Sequence, residues 1–513
     1  MTLNELISYS QRVRAASARN DKIAIIQEFL SRLSISEAAV GVNYIAGKTR
    51  QGRLNIAWKD LSALMNMPGT RPSQGLSLVD IDEALKSVRR ARGRQKRTAL
   101  APVFQRLAKQ EREFLVMLIQ GGVLQGAGEG LVKLAIARLL RLSDTEIEHA
   151  YMRVPDIGDM YVYLMKKGKA GIRKISVQLF TPVKPMLAHT ADSVDDIFSE
   201  YERFALEYKL DGVRVQLHKQ HSTVKIFSRH LKDITMHFPE VVETAQRIDA
   251  NECILDGEAV GVDSRGRPLP FQILAKRTMR KKDIDAMRKK IRVVPQFFDI
   301  LYRNGDDTTG LPYEERWRLL TDVVTQANGL TQRVVPVNKA SGQRFYARAL
   351  ETGSEGIMVK LLDAPYRAGK RGKVWFKIKQ THTIDCVVLA AEWGSGRRTG
   401  WLSNLHLGVL DETRTKYLMV GKTFKGMTDT MLAWFTEHLQ QIKVHEDRWT
   451  VYVKPHVVVE IAFNDVQQSP KYDSGVALRF ARVKAIRHDK KPQEINTIAD
   501  LHMWSNRRIA HEL

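Results

Sequence analysis

Between Phe180 and Ala188 the chain changes character, and that change limits what it can fold into. Up to about residue 175, apolar residues recur at spacings of three and four and runs of β-branched residues are few, the pattern of helices that bury one face. The segment Phe180-Thr181-Pro182-Val183-Lys184-Pro185-Met186-Leu187-Ala188 then brings two prolines close together. Each one removes a backbone donor and drives the residue before it toward extended backbone, so a helix cannot run through. Beyond it, short apolar stretches alternate with polar turns, as strands do. A chain of 513 residues, at about 150 residues per domain, is expected to form three units. We place them at 1–178 (all-α), 179–381 (α+β with mainly antiparallel sheets) and 382–513 (strand-rich).

In the first unit, Glu111 to Gln120 reads as a helix stopped by Gly121-Gly122, and a second runs from about Gly130 to Leu140. Between them Val123-Leu124-Gln125-Gly126-Ala127-Gly128 is a glycine-rich turn. It either lets backbone amides approach a phosphate or is a plain helix-to-helix connection. The second unit has strand candidates at Phe204–Lys209, Val213–Leu217, Val224–Phe227, Cys253–Val262, Val293–Ile300, Gly356–Lys360 and Val374–Lys379. Its helix candidates are Pro239–Arg247, Lys282–Lys290, Tyr313–Gln326 and Gly342–Glu351. The third has five strand candidates (Asp385–Trp393, Leu405–Leu410, Tyr417–Val420, Val451–Val453 and Val457–Phe463) and a helix at Asp429–Gln441. Five strands and one helix suggest an OB-fold barrel.

Charge points to the partner. The 81 Lys and Arg exceed the 57 Asp and Glu by a net +24, a field that attracts polyanions and makes binding salt-sensitive. No apolar run is long enough to span a bilayer, and the N-terminus is not of secretory type, so an intracellular protein without membrane attachment is expected. The run Arg89-Arg90-Ala91-Arg92-Gly93-Arg94-Gln95-Lys96-Arg97 has no interspersed acids. Its cations, together with the Gly126 turn, are candidates for phosphate-backbone contact without base readout. Cys253 and Cys386 sit in apolar strand candidates and read as core packing, not as a disulfide or a four-cysteine zinc site.

The chemistry concentrates in an ordered series. Glu207-Tyr208-Lys209-Leu210-Asp211-Gly212-Val213-Arg214 puts a lysine beside an acid and a glycine after an apolar segment, a placement that can present an amine to an α-phosphate. Next come Ser228-Arg229-His230, Leu255-Asp256-Gly257-Glu258, Phe297-Phe298-Asp299-Ile300-Leu301, Glu355-Gly356-Ile357-Met358-Val359-Lys360, Gly369-Lys370-Arg371 and Val374-Trp375-Phe376-Lys377-Ile378-Lys379. Arg479-Phe480-Ala481-Arg482-Val483 closes the series. Lys377 and Lys379 alternate with apolar residues, so both ammonium groups leave the same face of a strand. There they could hold a phosphate and favour the neutral, nucleophilic form of Lys209.

In order and content this series resembles the nucleotidyltransferase motifs of the ATP-dependent DNA ligases. With the helical N-terminal part, the proline segment and the final barrel, the resemblance covers nearly the whole chain. It is closest to the three-domain type found in archaea, some bacteria and eukaryotic replication. The resemblance implies a helical DNA-binding domain, an adenylation domain and an OB-fold domain in one enzyme that seals nicked double-stranded DNA with ATP and Mg²⁺ or Mn²⁺ through a lysyl-AMP intermediate.

 A monomer is expected, with replication or repair proteins as further partners and the nucleoid as the place of work in a prokaryote.

Site roles follow from the same resemblance. Lys209 is the nucleophile, and Lys377 and Lys379 hold the α-phosphate. Glu207 lies against the base, Phe298 stacks on it, and Glu258 reaches the ribose or a metal. Arg214, Arg229 and Arg371 meet ribose or phosphate oxygens, and Glu355 helps to bind the divalent cation. Arg479 and Arg482, far along the chain, imply a barrel that swings over the site to orient pyrophosphate and then swings away. Ala481 stands where the family commonly has proline. A capping-type guanylyltransferase and an RNA ligase share the core and are the alternatives. The first would lack the long helical region, and the second generally lacks this full set of flanking domains.

Overall fold

The computed structural model describes residues 1–52, 54–68, 75–91, 93, 95–123, 125–172, 174–269, 271–278, 284–324, 329–369 and 371–510. Along the chain a helical region gives way to a sheet-rich middle and then to a β-rich, OB-like C-terminal region.

Among the described residues ten helices, from Leu3–Ala15 to Ile157–Ile172, precede the first strand. Their apolar stripes merge into one cluster that extends from Leu3 to Ile175. Helix Lys109–Gln120 buries Phe114, Leu115 and Leu118 at the spacing of one helical face. Gly121 and Gly122 close its last turn, donating to the carbonyls of Leu118 and Met117.

Among the described residues the middle region carries ten strands: β1 (Leu187–Thr190), β2 (Phe204–Tyr208), β3 (Val213–Gln220), β4 (Thr223–Ser228), β5 (Glu252–Val262), β6 (Arg292–Arg303), β7 (Asp306–Asp307), β8 (Arg333–Val334), β9 (Gly356–Leu361) and β10 (Arg371–Lys379). They form two sheets, ordered β1-β10-β9-β2-β8 and β4-β3-β5-β6-β7. Pairing is antiparallel except between β1 and β10. Period-two alternation decides which side chains meet. In the first sheet Leu206, Ile357, Val359, Phe376 and Ile378 pack into a core, which leaves Glu207, Met358, Lys360, Trp375 and Lys377 on the opposite face. In the second, Val215, Leu217, Leu255, Phe297 and Ile300 are buried in another core, and Arg214, Glu258 and Phe298 take the other side. These two outward faces line one cleft.

The expected helices are present at Pro239–Ala245, Ile284–Lys290, Tyr313–Val324 and Lys339–Glu351; Lys282 and Gln326, expected helix ends, lie outside the described residues. Helices Val194–Glu200 and Phe271–Thr278 were not expected from sequence. Both are short, and short helices show little periodicity.

The extended segment after Phe180 is clamped to β3. Phe180 N–H donates to His218 Nδ1 at 3.0 Å, and Val183 N–H donates to Gln216 Oε1 at 2.7 Å. His218 is fully buried, and burial pushes its imidazole down to about 3, so the neutral ring accepts the bond. The helical region also docks through Arg153, which donates to Asp307 Oδ2 at 2.8 Å and Thr309 Oγ1 at 2.7 Å.

The C-terminal region holds more strands than the five expected: β11 (His382–Trp393), β12 (Leu402–Leu410), β13 (Tyr417–Thr423), β14 (Lys443–Glu446), β15 (Thr450–Val453), β16 (Val458–Phe463), β17 (Asp465–Gln468), β18 (Val476–Arg479) and β19 (Arg482–Ile486). The long β11 pairs with β16 through its first half and with β12 and β15 through its second. The additional strands are short, and β14 is exposed along its whole length. Such strands lack the apolar alternation that a sequence reading relies on. Helix Asp429–Gln441 is present as expected, and a further helix, Ile498–Ala510, follows β19. Cys253 and Cys386 are free and buried. Among the described residues no helix is long and apolar enough to cross a membrane.

Candidate active site

The cleft between the two middle sheets is a cavity of about 970 Å³. Lys209 enters it from the end of β2, where its backbone is tied on both sides: Lys209 N–H donates to the Gly356 carbonyl, and Glu355 N–H donates to the Lys209 carbonyl, each at 2.9 Å. Two glycines make this crossing close enough. A Cβ on Gly212 would stand 2.4 Å from the Ala259 carbonyl oxygen, and one on Gly356, at φ +141°, would stand 2.1 Å from that of Ile378. Asp211 accepts from Phe271 N–H at 3.1 Å, which ties the same turn to helix Phe271–Thr278.

At the centre, Glu355 Oε2 bridges two cations, with Lys209 Nζ at 2.7 Å and Lys379 Nζ at 2.5 Å. Burial alone would raise the Glu355 carboxyl, but the two ammonium groups outweigh it and hold the group at about 2. Lys379 is drawn below its ordinary value by burial and by the charge of Lys209. Glu258 faces the same cavity, where burial pushes it up to about 7 against the pull of Lys209 and Arg214.

At the other end Glu207, 2% exposed, sits in a fully paired pocket. Lys360 Nζ lies 2.7 Å from its Oε2, and the Tyr313 hydroxyl donates to Oε1. Burial raises Glu207, with Lys360 opposing the rise. Phe298 lines the cavity edge-to-face with Trp375, their ring centroids 6.1 Å apart. Arg214 forks onto Asp256 with bonds of 2.6 and 3.0 Å and donates to the Met186 carbonyl at 2.7 Å.

The structure thus gathers Glu207, Lys209, Arg214, Arg229, Glu258, Phe298, Lys377 and Lys379 around one cavity. An adjoining cavity of about 640 Å³ brings Glu355 and Lys379 together with Arg479 and Phe480 of the C-terminal region. Phe480 adopts φ +58°, an uncommon conformation for a side-chain-bearing residue, and its ring lies 5.6 Å from Lys379 Nζ. Arg482 lines neither cavity; it starts β19, where it pairs with Ala462 of β16, because the chain turns at Phe480 between the two arginines. Arg371 begins β10, but its side chain lies outside the described residues, as does that of Arg90.

Arg92 and Arg94 lie outside the described residues altogether. Arg89 and Arg97 are exposed, whereas Lys96 donates to the carbonyls of Leu54 at 2.5 Å and Asn55 at 3.4 Å. The Gly126 turn is secured from inside: Gln125 is buried and accepts from Ser10 Oγ at 2.5 Å. Sequence reading did not single out Lys360, Tyr313, Trp375 or Asp256. For Lys360 a signal was available, a lysine inside the apolar run Ile357-Met358-Val359-Lys360-Leu361.

Two sequence-family models match this chain: the ATP dependent DNA ligase domain over residues 185–379 and the ATP dependent DNA ligase C terminal region over residues 398–490. A protein named "Probable DNA ligase" from Anaeromyxobacter sp. (strain K) is 41% identical over 505 residues, covering 97% of this chain and 98% of its own. The chain belongs to the ATP-dependent DNA ligases. A relative of the ligase in Sorangium cellulosum (strain So ce56), also named "Probable DNA ligase", is 39% identical over 98% of this chain and 95% of its own. A solved structure named Pmar-Lig_PreS3 aligns with 94% of the ligase and 99% of its own chain, with a TM-score of 0.62 and 19% identity. That likeness concerns the fold alone.

Proposed function

We propose that this ligase carries out its ATP-dependent reaction on Lys209. The observation that carries the reading is the bridge from Glu355 to both Lys209 and Lys379 inside the cleft. Lys209 Nζ attacks the α-phosphorus of ATP, forming a P–N bond as the bond to pyrophosphate breaks. The 5′-phosphate at a nick in duplex DNA then takes the AMP and frees the lysine. Attack by the 3′-hydroxyl on that phosphate closes the backbone and releases AMP. Lys377 and Lys379 stabilise charge on the transferring phosphate, and Glu207 and Phe298 receive the base.

Carboxylates suit a hard divalent cation. Among the described residues no group of three or more His, Cys, Asp or Glu could hold a metal; Glu355 and Glu258 would supply the protein's share for Mg²⁺ or Mn²⁺ bound partly by phosphates. Such an ion would neutralise phosphate charge when bound. Arg229 and Arg371 contact ribose or phosphate oxygens, and Arg214, already engaged by Asp256, steadies the wall beside Phe298. Arg479 orients pyrophosphate, with Arg482 reaching the site only if the C-terminal region moves.

We divide the enzyme into a DNA-binding domain (1–178), an adenylation domain (179–381) and an OB-fold domain (382–513). Arg89, Arg90, Arg92, Arg94 and Arg97, with Lys96 and the Gly126 turn, grip the phosphate backbone. The enzyme works as a monomer at the nucleoid, beside replication or repair proteins. The test is labelling with ATP carrying a radioactive α-phosphate, followed by sealing of a nicked duplex. Wild type becomes covalently labelled and Lys209→Ala does not; a labelled Lys209→Ala variant would remove Lys209 from the mechanism.

A further inference from the structure

We propose that Lys360 is a positioning residue for base selection: it holds Glu207 as a hydrogen-bond acceptor, so that the cleft takes a purine bearing an exocyclic amine and refuses one bearing a carbonyl there. The inference rests on the nucleotide reading above and adds to it the origin of the choice between ATP and GTP.

Lys360 stands in the middle of β9, opposite Trp375 of β10 and Ala205 of β2. It is 1% exposed, in a place where burying an ammonium group is costly and an apolar side chain would serve packing as well. Its contacts all converge on the base end of the cleft. Nζ lies 2.7 Å from Glu207 Oε2 and donates to the Phe298 carbonyl at 2.9 Å. It also lies 4.4, 4.5 and 4.7 Å from the ring centroids of Trp375, Phe298 and Tyr313. One cation therefore ties together the carboxylate and the aromatic wall on either side of the position proposed for the base.

An ammonium group has donors and no acceptor, so the carboxylate oxygen facing it must accept. The Tyr313 hydroxyl donates to the other oxygen. Each oxygen has a second lone pair, and Glu207 lines the cavity. An exocyclic amine, as on adenine, donates into such a lone pair; the carbonyl at the same position of guanine meets it oxygen to oxygen. Without Lys360, a carboxylate this buried takes up a proton and gains an O–H that can donate to a carbonyl. Discrimination then relaxes.

The experiment measures covalent labelling by α-labelled ATP and GTP, in the full-length chain, for wild type, Lys360→Met and the charge-free double variant Glu207→Gln/Lys360→Met. The double variant leaves no buried charge without a partner and keeps the test open if the single variant does not fold. We expect the ATP-to-GTP ratio of kcat/KM to fall about tenfold or more in both variants. The change should lie mainly in KM, with kcat for ATP within about threefold of wild type, as for a group that acts on binding and not on the phosphate. A folded Lys360→Met or double variant that keeps the wild-type ratio overturns the inference alone. A wild-type chain that ATP does not label overturns the nucleotide reading, and this inference with it.

Discussion

Replacing Asp299 by asparagine probes how the wall behind Phe298 is held. Asp299 and Arg316 have fully buried side chains, joined by bonds of 2.7 and 3.1 Å. Arg316 also donates to the Leu311 and Ala364 carbonyls, at 2.5 and 3.0 Å, so it stays inside when its partner changes. Asp299→Asn removes the negative charge and turns part of the fork against an amide N–H. Breaking one side of a buried pair costs about 3–5 kcal/mol, because the remaining charge is left uncompensated. At about 2–4 °C per kcal/mol for a domain of this size, the melting transition should fall by about 6–20 °C. The assay is calorimetry of wild type, Asp299→Asn and the double variant Asp299→Leu/Arg316→Met. The double variant should recover most of the loss, since two apolar residues strand no charge. A drop below about 2 °C in the single variant, or a double variant as unstable as the single one, would refute the reasoning.

Three further outcomes are expected. Gly212→Ala sets a methyl group against the Ala259 carbonyl, 2.4 Å from the ideal Cβ position; it should cost about 1–3 kcal/mol in urea unfolding and reduce labelling by ATP, and unchanged stability would contradict the close approach. His218 is held at about 3 in the fold, against about 6.5 when unfolded; its contribution is therefore complete above pH 6.5 and is lost as pH falls toward 3. His218→Gln should flatten the fall in urea midpoint between those pH values, and an equally steep fall would exclude His218 as its source. Arg89→Ala and Arg97→Ala should each reduce the salt slope of nicked-duplex binding by about one; slopes equal to wild type would place the DNA elsewhere.

Lys209, Lys377, Lys379, Glu355 and Glu258 were legible as a group because their spacing along strands sets which face each takes, and their order matches a known motif series. Lys360, Tyr313 and Asp256 were not. Lys360 meets Glu207 only because β9 pairs with β2 in the observed register, and Tyr313 comes from a helix 106 residues beyond Glu207 in the chain. The arginine pair near the C-terminus shows the same limit from the other side. Arg479 and Arg482 look equivalent in sequence, yet the left-handed turn at Phe480 sends only Arg479 to the cavity lined by Glu355.

By itself, the amino-acid sequence determined the order of helical, sheet-rich and OB-like regions, the net positive charge and the place of Lys209 at the end of a strand. These depend on local pattern and net charge, which are properties of neighbours in the chain. Tertiary structure alone decided which charge each buried side chain meets: Lys360 with Glu207, Arg214 with Asp256, Arg316 with Asp299. A buried charge is stabilised by whatever lies within a few ångströms, and strand register and helix docking, not sequence distance, determine what that is.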